Sequence, residues 1–456
     1  MVRRKFYLFI FCYYFFIIIF ISKLILIKMV NLFNYQQICV DFIKKNRGLI
    51  LYHSMGSGKT ITSLAMAIQF TNPIIIIVTK ASKKNFVDDM KKAKINRDDI
   101  ILITYKKIIK KILDKTIDFK AKTIIIDEAH RLRSRTKLLN IIITECFEAF
   151  KLILLTGTIF YNSLVDLSVI VNLVKFENVL PETSKEFDFL YYDYTYETPT
   201  NIEIFTSKVK NCISYYKKPL DVNYPKYETK VIKVDMDNLQ ISEYRFYVKK
   251  ILSLDTLHID YSILDQRKTN FFLNVTRQLS NTVANSEKSP KIQQIYKYIK
   301  DGPRPVIVYS NFLQNGVLPI SVLLNNNKIS YAVYHGGQTD DKRDSIIDQY
   351  NLGKIDVLLI TTAGSESLDL KNTRQIHIME MHWNMSKIDQ IIGRAIRYKS
   401  HNSLPVDQRN LIIYKWISVF GYQIPFETAD EYIYKIAQKK EKMFDQFNEI
   451  IKVVSV

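Results

Sequence analysis

Cysteine is scarce: four residues in 456, and Cys12, Cys39, Cys146 and Cys212 fall with no metal-ligand spacing. That scatter excludes a disulfide framework and a zinc site, and predicts reduced thiols. Internal repeats are missing, and no low-complexity tract runs longer than a few residues, which excludes a solenoid. Acidic residues are short as well, 45 Asp and Glu against 65 Lys and Arg, leaving a net charge of +20. An excess of this size favours a polyanionic partner such as nucleic acid. Part of it tracks the abundance of Ile, Lys, Asn, Tyr and Phe, all specified by A/T-rich codons. With 47% hydrophobic and 24% charged residues the chain is globular, and its length predicts two or three packing units.

The N-terminus stands apart. Val2-Arg3-Arg4-Lys5 precedes an uninterrupted apolar run over residues 6–21, and Lys23 breaks it before residues 24–27. The run is short for a membrane span, and no small-residue cleavage site follows it. Met29 stands immediately before the first recognisable domain. Residues 1–28 are therefore read as a hydrophobic extension ahead of a start at Met29, in preference to a membrane anchor, and a cytoplasmic protein is expected.

The chemistry begins at Leu49-Ile-Leu-Tyr-His53-Ser54-Met55-Gly56-Ser57-Gly58-Lys59-Thr60. Residues 49–52 read as a buried strand, Gly56-Ser57-Gly58 as a loop whose backbone can approach a ligand, and Lys59-Thr60 as the opening of a helix. This is a phosphate cradle. Loop N–H groups and the helix N-terminus face phosphates, Lys59 reaches the outer ones, and the Thr60 hydroxyl suits Mg²⁺. The full pattern has Gly at position 53, where this chain carries His53. Residues 53–60 are the expected nucleotide-binding loop.

Around it, near-continuous apolar runs at residues 49–52, 74–78, 100–104, 123–126 and 152–155 alternate with helix-like, Lys-rich segments. Such runs predict a parallel sheet covered on both faces. The first α/β domain is placed at residues 29–176, a helical insertion and connector at 177–289, and a second α/β domain at 290–420. In the second domain, strands are expected at 306–309, 331–334, 357–361, 375–379 and 411–416, with a C-terminal helix in 421–456. In the first, Asp127-Glu128-Ala129-His130 ends a strand, the edge where parallel sheets hold their ligands. There Asp127 would orient Mg²⁺ and Glu128 would polarise a water for attack on a γ-phosphate.

Together these residues resemble superfamily 2 helicases and translocases of the DEAH-box type. The resemblance implies two RecA-like domains with ATP in the cleft between them. Leu155-Thr156-Gly157-Thr158 is similar to the third motif, which with His130 couples hydrolysis to movement. Tyr35-Gln36 matches the pair that reads adenine, and Thr104-Tyr105 a nucleic-acid-contacting element. Thr361-Thr-Ala-Gly364-Ser-Glu-Ser-Leu-Asp369 resembles the fifth motif, with Gly364 and Asp369 on the nucleotide and Thr361 near nucleic acid. Asn311 and His335 stand where the group contacts its track. Asp389-Gln390-Ile-Ile-Gly393-Arg394-Ala-Ile-Arg397 closely resembles the sixth motif. Placed on one helix face, Arg394 and Arg397 would act as arginine fingers, with Gln390 as a coupling residue. The nearest group is the Swi/Snf-like proteins of large DNA viruses, such as poxvirus early transcription factor small subunit and nucleoside triphosphate phosphohydrolase I. Its members imply ATP and Mg²⁺ as cofactors and DNA or RNA as partner, with viral RNA polymerase or another transcription factor subunit beside it. The same motifs serve a helicase, a translocase, or an initiation or termination factor that remodels complexes without unwinding.

Overall fold

The structure, a computed structural model, describes residues 32–54, 56–80, 82–95, 97–218, 223–261, 265–284, 286–361, 368–383, 385–422 and 424–456. The N-terminal extension at 1–28 and the expected site residues Met55 and Gly364 lie outside them. Among the described residues, no helix is long and apolar enough to cross a membrane. Two compact units are formed, one by Met1–Pro219 with Lys442–Val456 and the other by Leu220–Glu441.

In the first unit, β1 is Gly48–His53, β2 Ile74–Val78, β3 Ile100–Thr104, β4 Thr123–Ile126 and β5 Lys151–Thr156. After a short hairpin of β6 (Tyr192–Asp193) and β7 (Thr198–Pro199) comes β8, Ile213–Tyr216. The sheet order is β3-β2-β4-β5-β1-β8, parallel throughout. The Ile-rich run of β2 is buried at every position, as a strand sandwiched between helix layers must be. One face packs on the helices Asn34–Lys45 and Lys59–Ala67, the other on Asp166–Lys175 and, through Phe447 and Ile451, on the C-terminal residues. Because every strand runs the same way, the loops after β1, β2, β4 and β5 emerge at one edge.

In the second unit, β9 is Lys226–Asp235, β10 Val306–Tyr309, β11 Tyr331–Tyr334, β12 Val357–Ile360, β13 Gln375–Ile378 and β14 Asn410–Val419. Their order is β11-β12-β10-β13-β14-β9, again parallel. Its two apolar clusters lie on opposite faces of this sheet, one around Ile307, Leu358 and Ile376 and one around Val306, Val308 and Trp416. The expected strands are present within a residue or two, apart from β14, which runs three residues further. Residues 177–289, expected as an insertion and connector, divide instead: β8 extends the first sheet and β9 the second.

Candidate nucleotide site

The loop after β1 takes its shape from two glycines in the left-handed region, Gly56 at φ 72° and Gly58 at φ 80°. At φ 80° a side chain at Gly58 is strained, and a Cβ there would stand 2.7 Å from Gln36 Nε2, so that amide would have to move. Helix Lys59–Ala67 begins immediately after, presenting its first N–H groups to the same loop. Lys59 Nζ donates to the carbonyls of His53 at 2.8 Å and Ser54 at 3.1 Å, folding its charge over the loop.

Two expected nucleotide-contacting residues have structural partners here. Gln36 is buried; its Oε1 accepts the N–H of Phe33 and its Nε2 lies 3.4 Å from Ser57 O, with Tyr35 Oη donating to that carbonyl at 2.6 Å. Expected among the ATP-binding residues, His53 instead carries its ring away from solvent, 0% exposed, with Nε2 3.0 Å from Ser214 Oγ. Ser214 Oγ also takes the Cys39 thiol at 3.2 Å, and Tyr35 stacks on Tyr216 at 3.6 Å. Burial drives His53 down to about 3, so the imidazole is neutral. Position 53 thus joins β1, β8 and helix Asn34–Lys45 beneath the loop, and its carbonyl accepts from Lys59.

Across β5 from this loop, β4 ends at Asp127-Glu128. Burial, then the neighbouring Glu128 charge, raises the Asp127 carboxyl to about 6, while Ser82 and Lys59 act the other way. The loop after β2 therefore supplies a partner, Ser82, that no pattern in the sequence singles out. Glu128 has left-handed backbone at φ 51°, and its Oε2 lies 3.2 Å from His130 Nδ1. His130 Nδ1 also lies 3.3 Å from Thr156 Oγ1, and that hydroxyl contacts Thr158 O at 2.5 Å and Thr158 N at 3.1 Å. The acids and the Thr156-Gly157-Thr158 turn are thus joined. Tyr105, expected to touch nucleic acid, turns its hydroxyl onto Asp127 O at 2.7 Å and Glu128 O at 3.4 Å, bracing the acid pair; Thr104 caps the same helix half-exposed. The Thr60 hydroxyl reaches the carboxyl of Asp89. A hydroxyl and a buried carboxylate are hard oxygen donors, a set that fits Mg²⁺.

In the second unit, helix Met385–Ala395 carries half-exposed Gln390 and Arg394 but ends before Arg397. The expectation of both arginines on one helix face is corrected: a three-residue spacing aligns side chains only while the helix continues. Arg397 instead pairs with Asp369 Oδ1 at 3.0 Å, and Leu370 N–H reaches Arg394 O at 3.3 Å, which joins the fifth-motif and sixth-motif segments. Ser400 and His401 fix the following turn, His401 Nε2 contacting Thr373 O at 2.7 Å. Expected on nucleic acid, Asn311 is bound inward, its backbone N–H and its Nδ2 both donating to Glu380. Thr361 is buried and bonds to Tyr334 O through its N–H. His335 remains half-exposed, its Nδ1 accepting from Gly337 N at 3.2 Å. Glu380, 0% exposed, has no counterpart in the sequence reading.

A model described as SNF2-related domain matches residues 71–288, and one described as helicase conserved C-terminal domain matches residues 290–399. The chain is 46% identical over 427 residues to a putative ATP-dependent RNA helicase, L538, of Acanthamoeba polyphaga mimivirus, covering 92% of this chain and 96% of that one. Against a termination factor NPH-I homolog of African swine fever virus it is 23% identical, covering 91% and 76%. A solved Sulfolobus solfataricus SWI2/SNF2 ATPase core in complex with dsDNA is 19% identical, with a TM-score of 0.37 and coverage of 86% and 88%.

Proposed function

The chain belongs to the SNF2-related family of helicase-type ATPases, and from that premise we propose that it hydrolyses ATP at the first unit's sheet edge to move along nucleic acid. The observation that carries the reading is the convergence there of the Gly56–Gly58 loop, Lys59, the Asp127-Glu128 pair and His130. Lys59 and the loop N–H groups hold the phosphates. Thr60 and Asp127 are the donors for Mg²⁺, which when bound neutralises phosphate charge. Glu128 orients and deprotonates the attacking water, Gln36 serves the adenine end, and Arg394 and Arg397 stabilise transition-state charge. Gln390 and the His130–Thr156 contact convert hydrolysis into movement, with DNA or RNA held chiefly through phosphates at a net charge of +20.

Lys59→Ala and Glu128→Gln are each expected to abolish nucleic-acid-stimulated ATP hydrolysis, with Glu128→Gln still binding ATP. Wild-type turnover in either variant refutes the assignment. Two relatives point to different outputs, one named an RNA helicase and the other a termination factor homolog. Translocation in viral transcription, beside a polymerase or another factor in the host cytoplasm or virion, is the reading we adopt. Triplex displacement without duplex unwinding supports it; displacement of an RNA duplex replaces it with an RNA helicase.

A further inference from the structure

Strand β9 ends the second sheet, and its outer side has no neighbouring strand among the described residues. It is ten residues long, where the edge strands β3, β8 and β11 have five, four and four. Natural sheets keep their free edges short, because a long one is a template for another strand. Residues 226–231 are exposed without a break, including Tyr227 at 48% and Val231 at 40%.

The backbone directions follow from the pairing with β14. Lys226 N–H donates to Arg409 O at 3.0 Å and Met236 N–H to Val419 O at 2.8 Å, and the register between them is unbroken. Alternate residues of a parallel strand turn both backbone groups to the same side. Even-numbered residues of β9 therefore face β14, while Tyr227, Thr229, Val231, Lys233 and Asp235 offer N–H and C=O groups outward. An antiparallel strand from a second copy must set outward residues against outward residues, which leaves few symmetric registers. Centred on Lys230, the pairing sets that lysine against itself. Centred on Glu228, it sets Glu228 against itself and Lys226 against Lys230. Centred on Val231, it sets Glu228 against Val234 and Lys230 against Ile232. Centred on Thr229, Tyr227 meets Val231, Glu228 meets Lys230, and Thr229 meets itself. In that register Tyr-Glu-Thr-Lys-Val is self-complementary: aromatic against β-branched, acid against base, threonine against threonine. Glu228 and Lys230 already lie 3.4 Å apart within the strand, so two copies bring four charges of alternating sign together.

We propose that β9 pairs antiparallel with β9 of a second copy of this chain, across a two-fold axis at Thr229. Tyr227, Thr229 and Val231 then exchange backbone hydrogen bonds with the partner's Val231, the partner's Thr229 and the partner's Tyr227. The contact is isologous and closes on itself. Being of strand size, it lies below the area of an obligate dimer, so association is reversible. It is independent of the reading of the nucleotide site.

Sedimentation equilibrium of the full chain measures it, without nucleic acid, which would tether two copies. Wild type should move toward twice the single-chain mass as concentration rises through the micromolar range. Thr229→Pro removes the outward N–H at the axis and none of the bonds to β14, and should stay at the single-chain mass. Its urea midpoint, followed by Trp416 on the neighbouring β14, should stay close to wild type. Glu228→Lys sets like charges against each other twice and should weaken dimerisation by roughly tenfold. Glu228→Lys combined with Lys230→Glu exchanges the signs and should restore it. Wild type at the single-chain mass throughout overturns the proposal, as does a dimer retained in Thr229→Pro. A double variant no tighter than Glu228→Lys overturns it too, because the register at Thr229 is then wrong.

Discussion

Glu380, at the end of β13, carries a measurable share of the second unit's stability. Its buried carboxylate accepts the backbone N–H of Asn311, Asn311 Nδ2 at 3.0 Å, Ser310 Oγ at 3.0 Å and Asn281 Nδ2 at 3.0 Å. Glu380→Ala removes the acceptor for all four. Asn281 Nδ2 keeps Asn315 O at 3.0 Å, so three donors bear the loss. At about 1–3 kcal/mol for each stranded donor, less what water entering the gap recovers, the cost is on the order of 4 kcal/mol. Glu380→Gln keeps the volume and one acceptor oxygen but sets an amide NH₂ against Asn281 Nδ2, for about 1–2 kcal/mol. The readout is unusually clean, since the two tryptophans of the chain, Trp383 and Trp416, both belong to this unit. With a urea dependence of about 2–3 kcal/mol per molar, the fluorescence midpoint should fall by about 1.3–2 M for alanine and about 0.3–1 M for glutamine. An alanine midpoint within about 0.2 M of wild type would mean that the donors find other partners, and the reasoning from buried polar satisfaction would fail.

Gly58→Ala places a Cβ 2.7 Å from Gln36 Nε2 at φ 80°, so nucleotide affinity, measured by titration with a fluorescent ATP analogue, should fall by about tenfold or more. Unchanged affinity would show that the loop does not form the phosphate cradle. His377 is fully buried, accepts Trp416 Nε1 at 3.1 Å, and is driven by burial to about 3. Its folded value lies below the unfolded value of about 6.5, so the stability it protects is complete above that pH and is lost as pH falls from 6.5 toward 3. Between pH 6.5 and 5.5, tryptophan-reported stability of the second unit should drop by about 1 kcal/mol, and His377→Gln should flatten that slope. Equal slopes in both proteins would refute the assignment.

The sheets were legible because their strands are continuous apolar runs: a segment such as residues 74–78, all Ile and Val, has no exposed face to offer and reads as a doubly covered strand. The edge strands were harder. Residues 213–216 are only four long, two of them Tyr and half-exposed, and little in Ile-Ser-Tyr-Tyr separates an edge strand from a loop. The membership of β9 in the second sheet depends on register with β14, separated from it by almost the whole of that unit. Contacts of this range leave no local trace.

The same distinction governs the site. The glycine loop and the acid pair are legible because their geometry depends on neighbours in sequence: glycines before a helix, two carboxylates at a strand end. Residues whose role depends on distant partners are not. A histidine at position 53 reads as a ligand-facing group until Ser214, 161 positions away, is seen to take its Nε2 and close it into the core. Asn311 reads as a surface contact until Glu380, 69 positions on, draws in both its amide and its backbone. Tyr105 follows the same logic, since its hydroxyl is committed to the backbone of Asp127 and Glu128. In each case the polar residue beside a motif holds its neighbouring loop in place. Substituting any of these three should therefore displace the loop it holds.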